Sequence, residues 1–292
     1  MGITSKQKNM KIAITGSNGF IGKHLVNELV KNPFFEIIHI NRSDNYDITD
    51  KKTLEKIPNF DVLIHLAARV FVPSSYENPY DFYNTNVNGT LNMLELCRIN
   101  NAKIIFMSSY IYGIPEYQPI NEQHKINSFN PYSNTKIIGE QLCQGYNMDY
   151  NLKTIILRPF NTYGIGQSNN FLIPLILEQA KTGKIELKDP TPKRDMLYIK
   201  DLISAIIKSI TYDETSFEIF NIGSGKSFSV LEIANIIKNE INQNIQISFN
   251  GEVRPTEIND TISDISKISK KLQWAPQYSL IDGIKDLIKN EL

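Results

Sequence analysis

Cysteine is nearly absent: Cys97 and Cys143 are the only two in 292 residues, and both fall in apparently helical stretches. Their spacing fits neither a disulfide framework nor a metal cluster, so no metal site is expected and a reducing, cytoplasmic setting fits best. Net charge is missing too, since 31 basic side chains balance 31 acidic ones. No global field therefore draws the chain to nucleic acid or to an anionic membrane, and an anionic ligand must be held by local groups. No apolar run reaches membrane-spanning length, and residues 1–10 are polar and lysine-bearing, without the apolar stretch of a signal peptide. Those ten read as a disordered leader or a cloning remnant. Repeats and long low-complexity segments are absent, although Asn, Lys and Ile are used heavily.

What is present is enough apolar side chain for a substantial core, 41% of the chain, which argues against disorder. Apolar runs alternate with amphipathic stretches. Strands are expected at 11–15, 36–40, 61–66, 103–107 and 154–157, and helices at 19–31, 79–100 and 131–147. Such alternation implies an α/β fold, a Rossmann-type doubly wound parallel sheet. After about Pro159 the pattern loosens into turns and shorter elements such as 229–241 and 280–289. The expected division is a dinucleotide-binding domain over 11–160, to which some later segments return, and a smaller substrate lobe over 161–292.

Thr15-Gly16-Ser17-Asn18-Gly19-Phe20-Ile21-Gly22 follows the first strand and opens a helix whose Ile21, Leu25 and Leu29 share a face. Gly16 permits a tight turn, Gly19 lets backbone approach a pyrophosphate, and Gly22 lets the helix pack close to the strand. Amides of the helix start then favour the anion. The second strand ends Ile40-Asn41-Arg42-Ser43, with no acid where an NAD site usually offers one to the adenosine ribose. Arg42 and Ser43 could instead meet a 2′-phosphate, against the plainer reading of a solvated loop arginine, which favours NADP(H) and leaves NAD(H) open. Asp47, followed by Ile48, is placed either to accept from the adenine amino group or to cap a helix near Asp50.

Tyr132 and Lys136 stand four residues apart near a helix start, hence on one face. Moving hydride to or from a carbinol carbon needs a proton donor or acceptor at its oxygen. A phenol with an ordinary pKa of about 10 serves only when a nearby positive charge favours its phenolate. Ser108 ends the fourth strand at the carboxyl edge of the sheet, where open α/β folds place ligands.

The glycine loop, His65-Leu66-Ala67-Ala68, Ser108-Ser109-Tyr110-Ile111-Tyr112-Gly113, Tyr132/Lys136 and Leu157-Arg158-Pro159-Phe160-Asn161 together resemble the extended short-chain dehydrogenase/reductase superfamily, nearly end to end. The resemblance implies Ser108, Tyr132 and Lys136 as catalytic triad. It implies Leu66, Ala67, Ala68 and Pro159 beside the cofactor, with Asn86 helping to hold this shell. In look-alikes the smaller lobe takes a nucleoside diphosphate sugar. Ser109, Tyr110, Asn161, Asn170 in the 169–174 run, Arg194 in an Arg-Asp-x-x-Tyr segment and Arg254 in an Arg-Pro-x-acid segment are the corresponding substrate candidates. The look-alikes also pair through two long helices, here 79–100 and 131–147, which implies a homodimer with a four-helix interface.

Departures narrow the reaction. Dehydratases of this type follow the catalytic hydroxyl with Asp and Glu; Ser109 and Tyr110 stand there instead. Reductases that also epimerise use a cysteine where Tyr110 stands. The remaining expectations are NAD(P)H-dependent reduction of a nucleotide-linked 4-keto-6-deoxyhexose, or NAD-dependent nucleotide-sugar 4-epimerisation of the UDP-glucose or UDP-N-acetylglucosamine type. Reduction is favoured by the short length, the missing ribose acid and Arg42, and by a resemblance of Val72-Pro73, Gly89-Thr90-Leu91 and Arg158-Pro159-Phe160-Asn161 to GDP- and dTDP-4-keto-6-deoxyhexose reductases. A non-catalytic dinucleotide sensor is a third reading, against which the intact triad argues.

Overall fold

The computed structural model describes residues 9–127, 130–253 and 257–291. Of the expected leader, residues 1–8 lie outside the described residues, and the first strand takes in Met10. In chain order the first elements are β1 (Met10–Thr15), α1 (Phe20–Leu29), β2 (Phe35–Ile40), α2 (Lys51–Leu54), β3 (Val62–His65), α3 (Val72–Glu77), α4 (Pro79–Tyr83), α5 (Gly89–Asn100), β4 (Lys103–Met107), α6 (Pro131–Tyr150) and β5 (Thr154–Pro159). They are followed by β6 (Asn161–Tyr163), α7 (Leu172–Ala180), β7 (Lys184–Leu187), β8 (Lys193–Tyr198), α8 (Ile199–Thr211), β9 (Phe217–Ile222), β10 (Ser227–Ser229), α9 (Val230–Ile241), β11 (Gln246–Phe249), α10 (Ser266–Leu272) and α11 (Leu280–Glu291).

The main sheet has six strands in the order β2-β1-β3-β4-β5-β9, and the pairs from β2 through β5 are parallel. Ile12, Ile14, Leu63, Ile64, Ile104 and Ile105 are wholly buried, as expected where helices cover both faces. The strand order turns back between β1 and β3, the switch point where such sheets take ligands. The loops after these two strands are Gly16–Gly19 and Leu66–Ala68.

A π turn over Asn84–Asn88 joins α4 to α5 as one helix from Pro79 to Asn100, as the sequence predicts. α6 outruns its expected end by three residues and stops where Asn151 turns left-handed, at φ 55°. Two compact units result: Met1–Ile111 with Ser128–Arg158 and Ile206–Ile219, and Tyr112–Asn127 with Pro159–Ala205 and Phe220–Leu292. The second unit holds a three-stranded sheet, β10-β8-β6, and a two-stranded one, β11-β7. No described helix is long and apolar enough to cross a membrane.

Candidate active site

Close contacts explain the glycines of the first loop. Gly16 sits at φ +69°, and a Cβ there would lie 2.9 Å from the Ala67 amide nitrogen. At Gly22 a Cβ would lie 2.3 Å from the Gly16 carbonyl oxygen and 2.6 Å from the Ser17 Cα, so α1 could not close on the loop. α1 starts at Gly19 with no side-chain cap. The first-turn amides of Phe20, Ile21 and Gly22 are therefore left for an anionic group, and this loop fits a pyrophosphate.

A polar network ties this loop to the turn after β2. Asn41 is buried and donates from Nδ2 to Ser17 Oγ at 2.7 Å and to Asp44 Oδ2 at 2.8 Å. Asn18 donates from its backbone to Asn41 Oδ1 at 3.4 Å and from its side chain to Ser43 Oγ at 2.9 Å. A 3-10 turn over Arg42–Asp44 folds the Asp44 carboxylate back onto Asn41, near the end of β2. Arg42 donates from Nε to Asp47 Oδ2 at 2.9 Å, and its side chain stays 62% exposed. Asp47 also accepts from the Thr49 amide and hydroxyl, at 2.9 and 2.8 Å. These bonds and Arg42 hold the Asp47 carboxyl below its ordinary pKa despite an opposing effect of partial burial. Asp50 caps α2 instead, accepting from the Lys52 amide at 3.0 Å. Ile48 is buried, and its carbonyl accepts from Asn92 Nδ2 at 2.8 Å.

Asn130 caps α6 by accepting from the Ser133 amide at 2.8 Å, with Pro131 in the first turn. This start places Tyr132 and Lys136 on one face. Lys136 is buried, its Nζ donating to the Met107 carbonyl at 2.8 Å and lying 5.1 Å from the Phe106 ring centre. Burial pulls its pKa down to about 8, against the opposing pull of Glu140. Burial also raises the Tyr132 phenol above its ordinary value, and a hydrogen bond from Ser109 works the other way.

Ser108 has a partner that the sequence reading did not name. Ser108 is buried and donates to Glu140 Oε1, and Ser109, the next residue, is the hydroxyl that counters the effect of burial on the Tyr132 phenol. Glu140 stands one turn beyond Lys136 and is locked to Arg158: Nε donates at 2.9 and 3.2 Å and NH2 at 2.5 Å, with both residues buried. A buried carboxylate needs all the donors it can gather, and Ser108 supplies one. Sequence reading passed over Glu140, although a further four-residue step from Lys136 signals it. Ser109 and Tyr110 are partly exposed.

In the second unit, Asn161 begins β6 and its Nδ2 reaches the Asp195 carbonyl at 3.5 Å. Asn170 is exposed, as is the neighbouring Phe171. Arg194 is bound to Glu257 and donates from NH1 to the Ile258 carbonyl at 2.5 Å. Arg254 lies outside the described residues. Asp195, whose structural role the sequence did not show, is fully buried and accepts from Ser224, Gly225 and Ser263, tying two distant segments to β8. Pro159 ends β5 and is buried.

A phenol with a buried ammonium one turn away on the same helix can move a proton at the oxygen of an alcohol or ketone. The profile of the NAD dependent epimerase/dehydratase family matches residues 12–223. A Methanocaldococcus jannaschii protein with a provisional UDP-glucose 4-epimerase name is 36% identical, over 95% of this chain and 97% of that one. The UDP-glucose 4-epimerase of Thermotoga maritima, solved with UDP-glucose, superposes with a TM-score of 0.90 at 26% identity, covering 96% of this chain and 98% of that one. The UDP-glucuronic acid 4-epimerase of Bacillus cereus, solved with its substrate and NAD, gives 0.85 at 29% identity, covering 97% and 100%. With its glycine loop, its Tyr132/Lys136 helix and these end-to-end likenesses, the chain belongs to the NAD dependent epimerase/dehydratase family.

Proposed function

We propose that this enzyme is an NAD-dependent 4-epimerase of a UDP-linked sugar. The observation that carries the reading is the Tyr132 phenol one turn from the buried Lys136 ammonium on α6, in a chain whose relatives carry 4-epimerase names. This replaces the expectation of a 4-keto-6-deoxyhexose reductase, which these relatives do not favour.

Nicotinamide, when bound, supplies a reversible hydride acceptor. The remaining work falls to the chain. Ser109 holds the C4 oxygen and Tyr132 accepts its proton, then returns it after the sugar has presented its other face. Lys136 keeps a cation one turn away and so favours the phenolate. General acid–base catalysis of this kind is worth about 100 to 10,000-fold. Asn161, Asn170, Arg194 and Arg254 are our candidates for the diphosphate and sugar; Arg194 must leave Glu257 to reach a phosphate.

NAD(H) suits the turn after β2 better than NADP(H), because Asp44 offers a carboxylate to a ribose hydroxyl and repels a 2′-phosphate. A homodimer through the two long helices is supported by Ile99, Met148 and Tyr150, which leave 69%, 73% and 55% of their surface exposed there. Light scattering that shows a monomer at micromolar concentration would remove it.

The deciding assay supplies UDP-glucose or UDP-N-acetylglucosamine to the protein with NAD and follows the 4-epimer by chromatography. Interconversion without net NADH formation is expected. Stoichiometric NADPH consumption with dTDP- or GDP-4-keto-6-deoxyhexoses, and no interconversion, would restore the reductase.

A further inference from the structure

A buried histidine that this proton transfer does not use lies between the glycine loop and the catalytic helix. His65, at the end of β3, is 2% exposed. Its Nδ1 lies 2.7 Å from Thr15 Oγ1 and its Nε2 3.1 Å from Thr90 Oγ1. The proton positions follow by counting. Thr15 Oγ1 already accepts from the Leu66 and Ala67 amides, at 3.1 and 3.0 Å. The Leu66 amide is shared with the Thr15 carbonyl at 3.3 Å, so the Thr15 hydroxyl is free to give its proton to Nδ1. Thr90 decides that it does, because its hydroxyl proton is already given to Asn86 and it can only accept from Nε2. The ring proton is then on Nε2 and is donated to Thr90, whose own hydroxyl donates to the Asn86 carbonyl at 2.5 Å.

Asn86 is buried in the π turn, an interruption of helices that recurs at functional sites. Its Oδ1 accepts from the Arg69 amide at 2.8 Å, and its Nδ2 donates to the Arg69 carbonyl at 3.0 Å and to Thr135 Oγ1 at 2.9 Å. Thr135 donates in turn to the Tyr132 carbonyl at 2.7 Å. A one-directional chain thus starts at the amides of the Leu66–Ala67 loop, passes through His65 to the π turn, and continues from the Asn86 side chain to the residue that bears the phenol.

We propose that His65 is a positioning residue whose single neutral tautomer couples the dinucleotide loop to the start of the catalytic helix, its Nδ1 serving the loop and its Nε2 serving the helix. Burial and the Lys136 charge hold the imidazole down to about 3, so the ring stays neutral wherever the enzyme works. A second proton, on Nδ1, would face the Thr15 hydroxyl proton.

The two nitrogens can be separated by substitution, because an Asn oxygen falls where Nδ1 stood and a Gln amide where Nε2 stood. The turnover arm rests on the proposed epimerase reading. The affinity arm does not, because NADH binding is measured by calorimetry without sugar. His65→Asn should keep NADH affinity within about twofold and lose about tenfold in kcat, the scale of one buried hydrogen bond. His65→Gln should do the reverse, losing about tenfold in affinity with kcat nearly kept. Thr90→Val, which leaves His65 intact, should reproduce His65→Asn. Variants that lose affinity and kcat together, in step with a common fall in Tm, would overturn the coupling and leave a plain core histidine. So would variants that change neither. If the wild-type protein binds NADH but epimerises no UDP-sugar, the function reading fails, and the opposite affinities of His65→Gln and His65→Asn decide the coupling alone.

Discussion

The start of the catalytic helix and the turn after β2 both gather charged and polar side chains, under opposite conditions. Around α6 the ionisable groups Lys136, Glu140 and Arg158 are almost fully buried. After β2, Arg42 and Asp44 are exposed and only Asn41 is buried. Attraction between charges is weak and screened where water reaches them and strong where it does not. The first region should therefore tolerate no loss of a partner, whereas the second should tune selectivity with little effect on stability.

The largest effect expected is on turnover. Tyr132→Phe should lower kcat by about 100 to 10,000-fold with NADH affinity nearly intact by calorimetry; full activity would mean that the proton is handled elsewhere. Ser109→Ala should also lower kcat, and by more than Ser108→Ala does. The opposite ranking would return the substrate-facing role to Ser108.

Next comes the buried ion pair. Arg158→Leu strands the Glu140 carboxylate and should cost about 3 to 5 kcal/mol in urea unfolding. A loss below about 1 kcal/mol, the range of an exposed pair, would erase the contrast between the two regions.

Proton linkage sharpens it further. The folded pKa of Lys136, about 8, lies below its ordinary 10.5. Between these values the unfolded chain binds more protons, so stability from this group rises with pH. The unfolding free energy of the wild type, relative to Lys136→Met, should accordingly climb from pH 8 towards 10.5. A flat difference would mean that the buried ammonium feels no desolvation.

The smallest effects belong to the exposed turn. Arg42→Ala removes a pair in which the arginine is itself 62% exposed and should shift stability by less than about 1 kcal/mol. Asp44→Ser should leave stability alone and raise NADPH affinity severalfold relative to NADH. An unchanged ratio would take Asp44 out of cofactor selection.

Elements whose signal is local were legible in the sequence. The Gly16 turn follows from a backbone angle, the π-interrupted helix from Pro79 to Asn100 from its apolar period, and the Tyr132/Lys136 face from spacing alone. The second unit was harder to read. β6 and β10 are three residues long, and β8 begins with Lys193 and Arg194, too short or too polar for period-two alternation to register. Asp195 looked like part of a motif, and nothing near it in sequence announces the serines at 224 and 263 that it binds.

The sequence by itself determined the parallel sheet, the glycine loop and the helix carrying phenol and ammonium, because backbone sterics and side-chain period act between near neighbours. Tertiary structure alone decided that Ser108 is bound to Glu140, that an acid comes back to Asn41, that Arg42 and Arg194 are already paired, and that His65 has one tautomer. Each of these depends on where buried polar groups find partners, and outside the helix turns and short loops those partners stand tens of residues away: 32 from Ser108 to Glu140, 63 from Arg194 to Glu257, 50 from Thr15 to His65. A hydrogen bond has to be satisfied in space, and only the folded chain brings such pairs together.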